Sequence, residues 1–187
     1  KKVIFIAFLA FLMGLSYSSV LAFLSSYVKI IHLVEISSLF FVVYALIITA
    51  TRPLSGKIFD SLGEKFVMYP SYIFLTLGLI LLSFTTSGWE LLVSGGLIGL
   101  GYGTFMSNGQ AVSLKQITSS HRIGVALSTY FIGLDLGLGV GPFILGELRS
   151  FFSFQQVYLI AAILPIVCLV LYKVSLHKNT AKQQPLT

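Results

Sequence analysis

The chain has 187 residues, of which 56% are hydrophobic and 10% are charged, with a mean hydropathy of +0.95 and a net charge of +6. Soluble domains carry about 25% charged residues, so this composition excludes an ordinary globular protein and a disordered one, and indicates a polytopic membrane protein. The single cysteine, Cys168, excludes an intrachain disulfide and a cysteine-based metal site.

Six apolar stretches are long enough to cross a bilayer as helices, which takes about 20 residues each. The predicted fold is therefore an all-α membrane protein, with one bundle over residues 1–175 and a polar tail over residues 176–187. The first apolar run is too long for a signal peptide, so we interpret it as a true membrane span. The chain starts at Lys1 without a Met, so we expect it to be part of a longer protein. The predicted spans cover residues 3–28, 33–56, 66–86, 91–114, 123–146 and 154–172.

The basic residues predict the orientation of these spans. With six spans, both termini and two of the loops lie on the same side of the membrane, and this side carries ten of the twelve Lys and Arg residues. The opposite side carries only two basic residues, Lys29 and Arg149. This positive-inside bias predicts a cell-membrane protein with both ends in the cytoplasm, and it explains the net charge without a nucleic-acid partner. The basic residues of the predicted cytoplasmic side are Lys1, Lys2, Arg52, Lys57, Lys65, Lys115, Arg122, Lys173, Lys178 and Lys182.

The segment "RPLSGKIFDSLGEK", residues 52–65, follows the second span and carries the most specific local pattern. It resembles the cytoplasmic loop motif G-x-x-x-D-R-x-G-R-K/R of the major facilitator superfamily. The matching residues are Gly56, Asp60, Gly63 and Lys65, preceded by Arg52, whereas Ser61 and Glu64 stand where the family has basic residues. We expect Asp60 to pair with Arg52 and Lys57 and to act as a cytoplasmic gate. The alternative is a set of solvated charges.

Glycines mark the fourth and fifth spans. Gly95, Gly99 and Gly103 recur every four residues, which predicts a helix face for close packing rather than a nucleotide loop. In the fifth span, the packing or hinge residues Gly137, Gly141, Pro142 and Gly146 partly match the antiporter signature of superfamily exporters. The alternative for Pro142 is a tolerated kink. Together the resemblances imply the carboxy-terminal six-helix half of a twelve-helix transporter, with a 3+3 inverted repeat and an amino-terminal half as partner.

Asp135 is the one acidic residue in the interior of a predicted span, since Glu35 lies at the outer end of the second. It follows Ile123 by twelve residues, roughly 18 Å along a helix, and so lies near the middle of a hydrocarbon core about 30 Å thick. Insertion scales make a central Asp unfavourable by about 2.5–3.5 kcal/mol, which water, a partner or protonation must relieve. We therefore predict that Asp135 binds a proton, a cationic substrate, or both in turn. The alternative is a structural acid that is hydrogen-bonded to a neighbour.

Other polar side chains inside the spans predict the wall of a cavity. Full amides need several hydrogen-bond partners, whereas single serines such as Ser16, Ser18 and Ser19 more often join helices. In the superfamily the first and fourth spans line the central cavity, the second and fifth flank it, and the third and sixth are peripheral. The predicted substrate cavity contains Tyr17, Tyr44, Tyr102, Asn108, Gln110 and Tyr130.

The leading prediction is a secondary transporter, a proton-coupled exporter of small molecules that works by alternating access in the lipid bilayer. The alternatives are an uptake symporter of the same fold and a non-transporting membrane scaffold. An enzyme is not expected, since His32, His121 and His177 lie on different sides and form no site, and neither a metal nor a cofactor is expected.

Overall fold

A computed structural model describes residues 2–117 and 120–181, and this part of the chain is almost entirely helical. A five-residue π-helical segment, Gly99–Gly103, joins the fourth and fifth helices into one rod, and a short 3₁₀ turn, Ser120–Arg122, precedes the sixth. The described chain thus forms six helical rods. Its α-helices are α1 Lys2–Ile30, α2 Val34–Leu62, α3 Lys65–Ser83, α4 Gly88–Ile98, α5 Thr104–Lys115, α6 Ile123–Arg149 and α7 Phe154–Ala181.

Five helices, α1, α2, α3, α6 and α7, are long and apolar enough to cross a membrane by length and composition. The fourth rod is divided by the π-helical segment into α4, of 11 residues, and α5, of 12 residues, and neither is long enough alone. Because the backbone stays helical across the junction, the rod as a whole supplies the fourth of the six predicted helices.

The second helix is longer than its apolar stretch. Apolarity falls at Gly56, but α2 continues through Asp60 to Leu62 and ends at Gly63, whose φ of 96° terminates the helix and whose N–H donates to the carbonyl of Phe59 at 3.1 Å. A polar helix end is stable in water, so composition marks where the bilayer core ends rather than where the helix does. The segment expected as a loop from residue 57 is therefore mostly helical.

The helices pack as two interlocked triplets around α1. The first helix, α1, lies mainly against α6, with further contacts to α7 and α5, and α3 packs between α7 and the α4–α5 rod. The first rod of each triplet thus packs on the second rod of the other: α1 on α6, and the α4–α5 rod on α2. This exchange is the arrangement expected for a 3+3 inverted repeat.

The α1–α6 seam is a contact of backbone on backbone. Gly133 and Gly137 of α6 lie against the carbonyls of Ala7 and Phe11, and a Cβ added to Gly137 would lie only 2.8 Å from the backbone nitrogen of Leu15. Small residues at four-residue spacing allow helices in a membrane to approach this closely. On the α4–α5 rod, Gly95, Gly99 and Gly103 lie in the same way against Phe40, Tyr44 and Ile48 of α2.

The tight seam predicts opposite effects for alanine at two glycines of α6. In the full-length protein, we expect Gly137→Ala to lower the free energy of unfolding by about 1–3 kcal/mol, because its methyl group meets backbone that cannot move aside. The matched variant Gly146→Ala has no neighbour within 4 Å of its new Cβ and should be neutral or stabilising by up to about 1 kcal/mol. Unfolding in mixed detergent micelles measures the free energy of unfolding of both variants. Equal decreases in the two variants would contradict the close backbone contact between α1 and α6.

Two fully buried tyrosines differ in how their hydroxyl groups are satisfied. Tyr130 of α6 donates to the carbonyls of Met106, at 3.2 Å, and Phe105, at 3.4 Å, and so ties α6 to α5. Tyr72 of α3 is equally buried, but its hydroxyl oxygen has no hydrogen-bond partner among the described residues.

This difference predicts the order of two phenylalanine variants. Tyr130→Phe should lower the free energy of unfolding by about 0.5–1.5 kcal/mol, because it removes the hydrogen bond that ties α6 to α5. Tyr72→Phe removes an unpaired buried hydroxyl and should leave stability unchanged or raise it. Thermal unfolding of the full-length protein in detergent compares the two, and a larger loss for Tyr72→Phe would be inconsistent with these contacts.

Candidate functional site

Three tyrosines from three different rods stack into a column near the middle of their helices. The ring of Tyr17 in α1 lies 4.0 Å, centroid to centroid, from that of Tyr102 in the π-helical segment, with 14° between the planes. On its other side, Tyr17 lies 5.6 Å from the ring of Tyr44 in α2, at 12°. Tyr17 and Tyr102 are buried and Tyr44 is half-buried, so the column opens at Tyr44.

The π-helical segment positions Tyr102. Its sequence, "GLGYG", places glycines at alternate positions, and a Cβ added to Gly101 would meet the backbone of Leu75 in α3. A Cβ added to Gly99 would lie 3.0 Å from the carbonyl oxygen of Tyr44. These close contacts hold the widened turn between α2 and α3, and π-helical turns are frequent at functional sites.

Asp135 lies on the face of α6 that the chain's own helices leave uncovered. Its neighbours Leu134 and Gly137 are buried against α1, whereas Asp135 itself is exposed. The hydrogen bonds that α6 side chains donate in this part of the helix come from Thr129 and Tyr130, and Asp135 takes part in none of them.

Three of the six predicted cavity residues are engaged in helix packing instead. Tyr130 is fully buried, and its hydroxyl is bonded to α5 as described above. Asn108 is 4% exposed and donates to the carbonyl of Thr104 at 2.9 Å and to the Ser55 hydroxyl at 3.2 Å, which links α5 to α2. Gln110 is half-buried and donates to the carbonyl of Met106 at 3.2 Å. Buried amides need partners, and here neighbouring backbone and a serine supply them.

The serines of α1 also belong to the packing. Ser16 donates to the carbonyl of Ala161 in α7 at 2.9 Å, while Ser18 and Ser19 donate to carbonyls of their own helix. All three are fully buried, and Ser16 joins α1 to α7. Serine commonly plays this part in membrane helices.

The gate motif is divided between the end of α2 and the start of α3. Arg52, Asp60 and Lys65 are exposed, and within the described chain the side chain of Asp60 makes no hydrogen bond with Arg52 or Lys57. The expected pairing is thus absent in this conformation. Pairs between exposed side chains such as these contribute little.

One contact of this segment gave no signal in the sequence. Glu64, which departs from the family motif, accepts a hydrogen bond from the hydroxyl of Tyr172 in α7 at 3.0 Å. Tyr69 packs edge-on against the same ring, with 5.6 Å between centroids. The turn between α2 and α3 is thereby attached to the far end of α7, a contact between residues more than a hundred positions apart in the chain.

The four predicted packing or hinge residues of the fifth span have different surroundings. Gly137 and Gly141 face α1, and a Cβ added to Gly141 would lie 3.3 Å from the carbonyl oxygen of Leu15. Among the described residues, Gly146 has no neighbour within 4 Å of an added Cβ. Pro142 lies inside α6, which is one continuous helix from Ile123 to Arg149.

Comparison with known proteins agrees with this architecture. The family model described as Major Facilitator Superfamily matches residues 6–186. The proteins similar to this chain include three named Multidrug resistance protein MdtG. That of Proteus mirabilis is 28% identical over 166 residues, which cover 86% of this chain and 41% of the relative. That of a Rahnella species is 28% identical over 178 residues, covering 91% and 43%, and that of Salmonella typhi is 27% identical over 175 residues, covering 90% and 43%.

The chain thus spans less than half the length of these curated relatives. The family model covers nearly all of it, and the helical rods follow the order and packing that half of such a fold requires. This chain belongs to the Major Facilitator Superfamily of integral membrane transporters.

Proposed function

We propose that this chain forms the carboxy-terminal half of a proton-coupled exporter of small molecules that works by alternating access. The observation that carries the proposal is the position of Asp135, an exposed carboxylate in the middle of α6, the helix that packs on the α1 helix of Tyr17. A carboxylate at bilayer depth that is not neutralised by its own bundle needs water, a proton or a cationic ligand.

Asp135 is the coupling group in this proposal. In the state open to the outside it takes up a proton, and in the state open to the cytoplasm it releases that proton and becomes able to hold a substrate. Each state relieves the cost of about 2.5–3.5 kcal/mol for an unpaired central carboxylate in a different way. Proton and substrate therefore compete for one group, and that competition couples their opposite movements.

The tyrosine column of Tyr17, Tyr44 and Tyr102 forms the wall beside this acid. Stacked aromatic faces attract flat apolar rings and cations, and Tyr44 presents the accessible end of the column. The proposed substrates are accordingly amphipathic molecules with an aromatic or cationic part. The names of the MdtG relatives refer to multidrug resistance, which supports efflux as the direction of transport.

The cytoplasmic gate is proposed for the segment from Arg52 to Lys65. In the described conformation Arg52, Asp60 and Lys65 are exposed and therefore free to form ion pairs in another state. The positive-inside bias supports a cell-membrane orientation in which this segment and both chain ends lie in the cytoplasm. Formation of the pairs in only one state would bias the alternation.

An amino-terminal six-helix half is the proposed partner. Buried residues make up only 6% of the most apolar window of α2 and 22% of that of α6, against 67% for α1. These two helices flank the side on which Asp135 and Tyr44 are accessible. A second half placed there would enclose the site and create the central cavity.

Replacing Asp135 tests this function directly. In proteoliposomes that contain the full-length protein, we expect Asp135→Asn to abolish efflux of a fluorescent cation driven by a pH gradient, because the amide cannot exchange a proton. Glu147→Gln is the matched control, since it removes an exposed acid from the end of the same helix and should leave the rate unchanged.

Three results would contradict the proposal. Unchanged pH-dependent efflux in Asp135→Asn would exclude this residue as the coupling group. Solute and protons moving in the same direction would favour an uptake symporter of the same fold. Absence of any solute or proton movement in the full-length protein would favour a scaffold.

A further inference from the structure

A narrow apolar cleft lies between α2 and α3, away from the tyrosine column. Its volume is about 210 Å³, and its floor is formed by Leu100 and Thr104 of the fourth rod. The mouth is marked by Leu54 of α2, 58% exposed, and Phe66 of α3, 60% exposed. The remaining lining residues are Thr51, Ser55, Ile58, Val67, Pro70, Ser71 and Phe74.

The polar lining residues do not make this cleft a water site. Thr51, Ser55 and Ser71 each donate their hydroxyl to a backbone carbonyl of their own helix, at 2.7 Å, 3.1 Å and 2.7 Å. A buried water needs two to four polar partners, and three of the four polar side chains of the lining have already used their donors within their helices; the fourth is Thr104. The cleft is thus an apolar opening at the level of the bilayer.

The narrow shape of the cleft suits an extended acyl chain as occupant and excludes a protein helix. Packed helices lie 8–10 Å apart, and a helix with its side chains is about 10–12 Å across, so a helix cannot enter the space between α2 and α3. An extended acyl chain can, and it would cover the apolar side chains that line the cleft. In a membrane such chains are the most abundant solutes of this kind.

A positive charge near the mouth of the cleft favours a lipid with an anionic headgroup. Lys57 is exposed and follows Leu54 by three positions, so it lies beside the opening on the surface of α2. Asp60 lies two positions beyond Ile58, about 200° round the helix and so opposite the cleft. The carboxylate of Glu64 is directed to Tyr172. Asp60 follows Lys57 by three positions and so lies beside it on the helix surface, but on the side away from the cleft, and among the described residues it forms no hydrogen bond with Lys57. Of these two charged residues, Lys57 is thus the nearer to the mouth.

We propose that this cleft binds one acyl chain of an anionic phospholipid from the leaflet at the Lys57 end, with the lipid phosphate held by the Lys57 ammonium group. Basic residues at the edge of apolar sites between membrane helices are suited to such headgroups. The site lies beside the segment from Arg52 to Lys65, so a bound lipid would contact the end of α2. This inference depends on the cleft and its charge, not on the transport mechanism.

Lipid titration of the full-length protein tests the site. The protein is purified in an uncharged detergent, and native mass spectrometry measures the affinity for dioleoylphosphatidylglycerol and, as reference, dioleoylphosphatidylcholine. The wild type should prefer phosphatidylglycerol. Lys57→Gln should weaken its binding about five-fold, the factor for one interfacial cation, and leave phosphatidylcholine binding unchanged. Leu54→Trp, which fills the mouth, should weaken the binding of both lipids.

Lys65→Gln is the matched control. It removes the same charge from the same segment, but Lys65 lies about half a turn round α3 from the residues that line the cleft. It should leave both affinities unchanged. Equal weakening by Lys57→Gln and Lys65→Gln would reduce the effect to general attraction by basic residues and overturn the site. Binding by Leu54→Trp that equals the wild type would show that the cleft is covered by the other half of the protein or by a second copy.

Discussion

The close contact of α1 with α6 is the constraint on which the rest of the site depends. Gly133, Gly137 and Gly141 let the two backbones meet, and this fixes which face of α6 is turned inward. Successive residues of a helix lie about 100° apart, so burying Leu134 and Gly137 turns Asp135 away from the bundle. The acid is exposed because its neighbours are needed for packing.

Close packing of helices at glycines also positions the tyrosines of the site. Gly99 and Gly101 let α2 and α3 approach the fourth rod closely at its π-helical segment. Tyr102 projects from that segment onto Tyr17, and α1, which carries Tyr17, also packs against α6, which carries Asp135. Glycine packing at two seams thus brings together side chains from α1, α2, the fourth rod and α6.

The six rods and their order could be predicted from the sequence, because apolar length alone selects helices in a bilayer. The tyrosine column was predicted only as separate cavity residues, and its π-helical segment was missed, since "GLGYG" also fits an ordinary packed helix. Asn108, Gln110 and Tyr130 were assigned to the cavity because a sequence does not show which neighbours satisfy a polar group. Glu64 and Tyr172 could not be paired, because their contact depends on how α3 and α7 fold together.

The central claim is that the carboxylate of Asp135 meets water from each side of the membrane in turn. The most direct measurement is the labelling of an Asp135→Cys variant by a membrane-impermeant maleimide applied from either side, with buried Cys168 as the unreactive background within this chain. The account predicts labelling from both sides. No labelling from either side, as for a side chain turned to lipid, would contradict it.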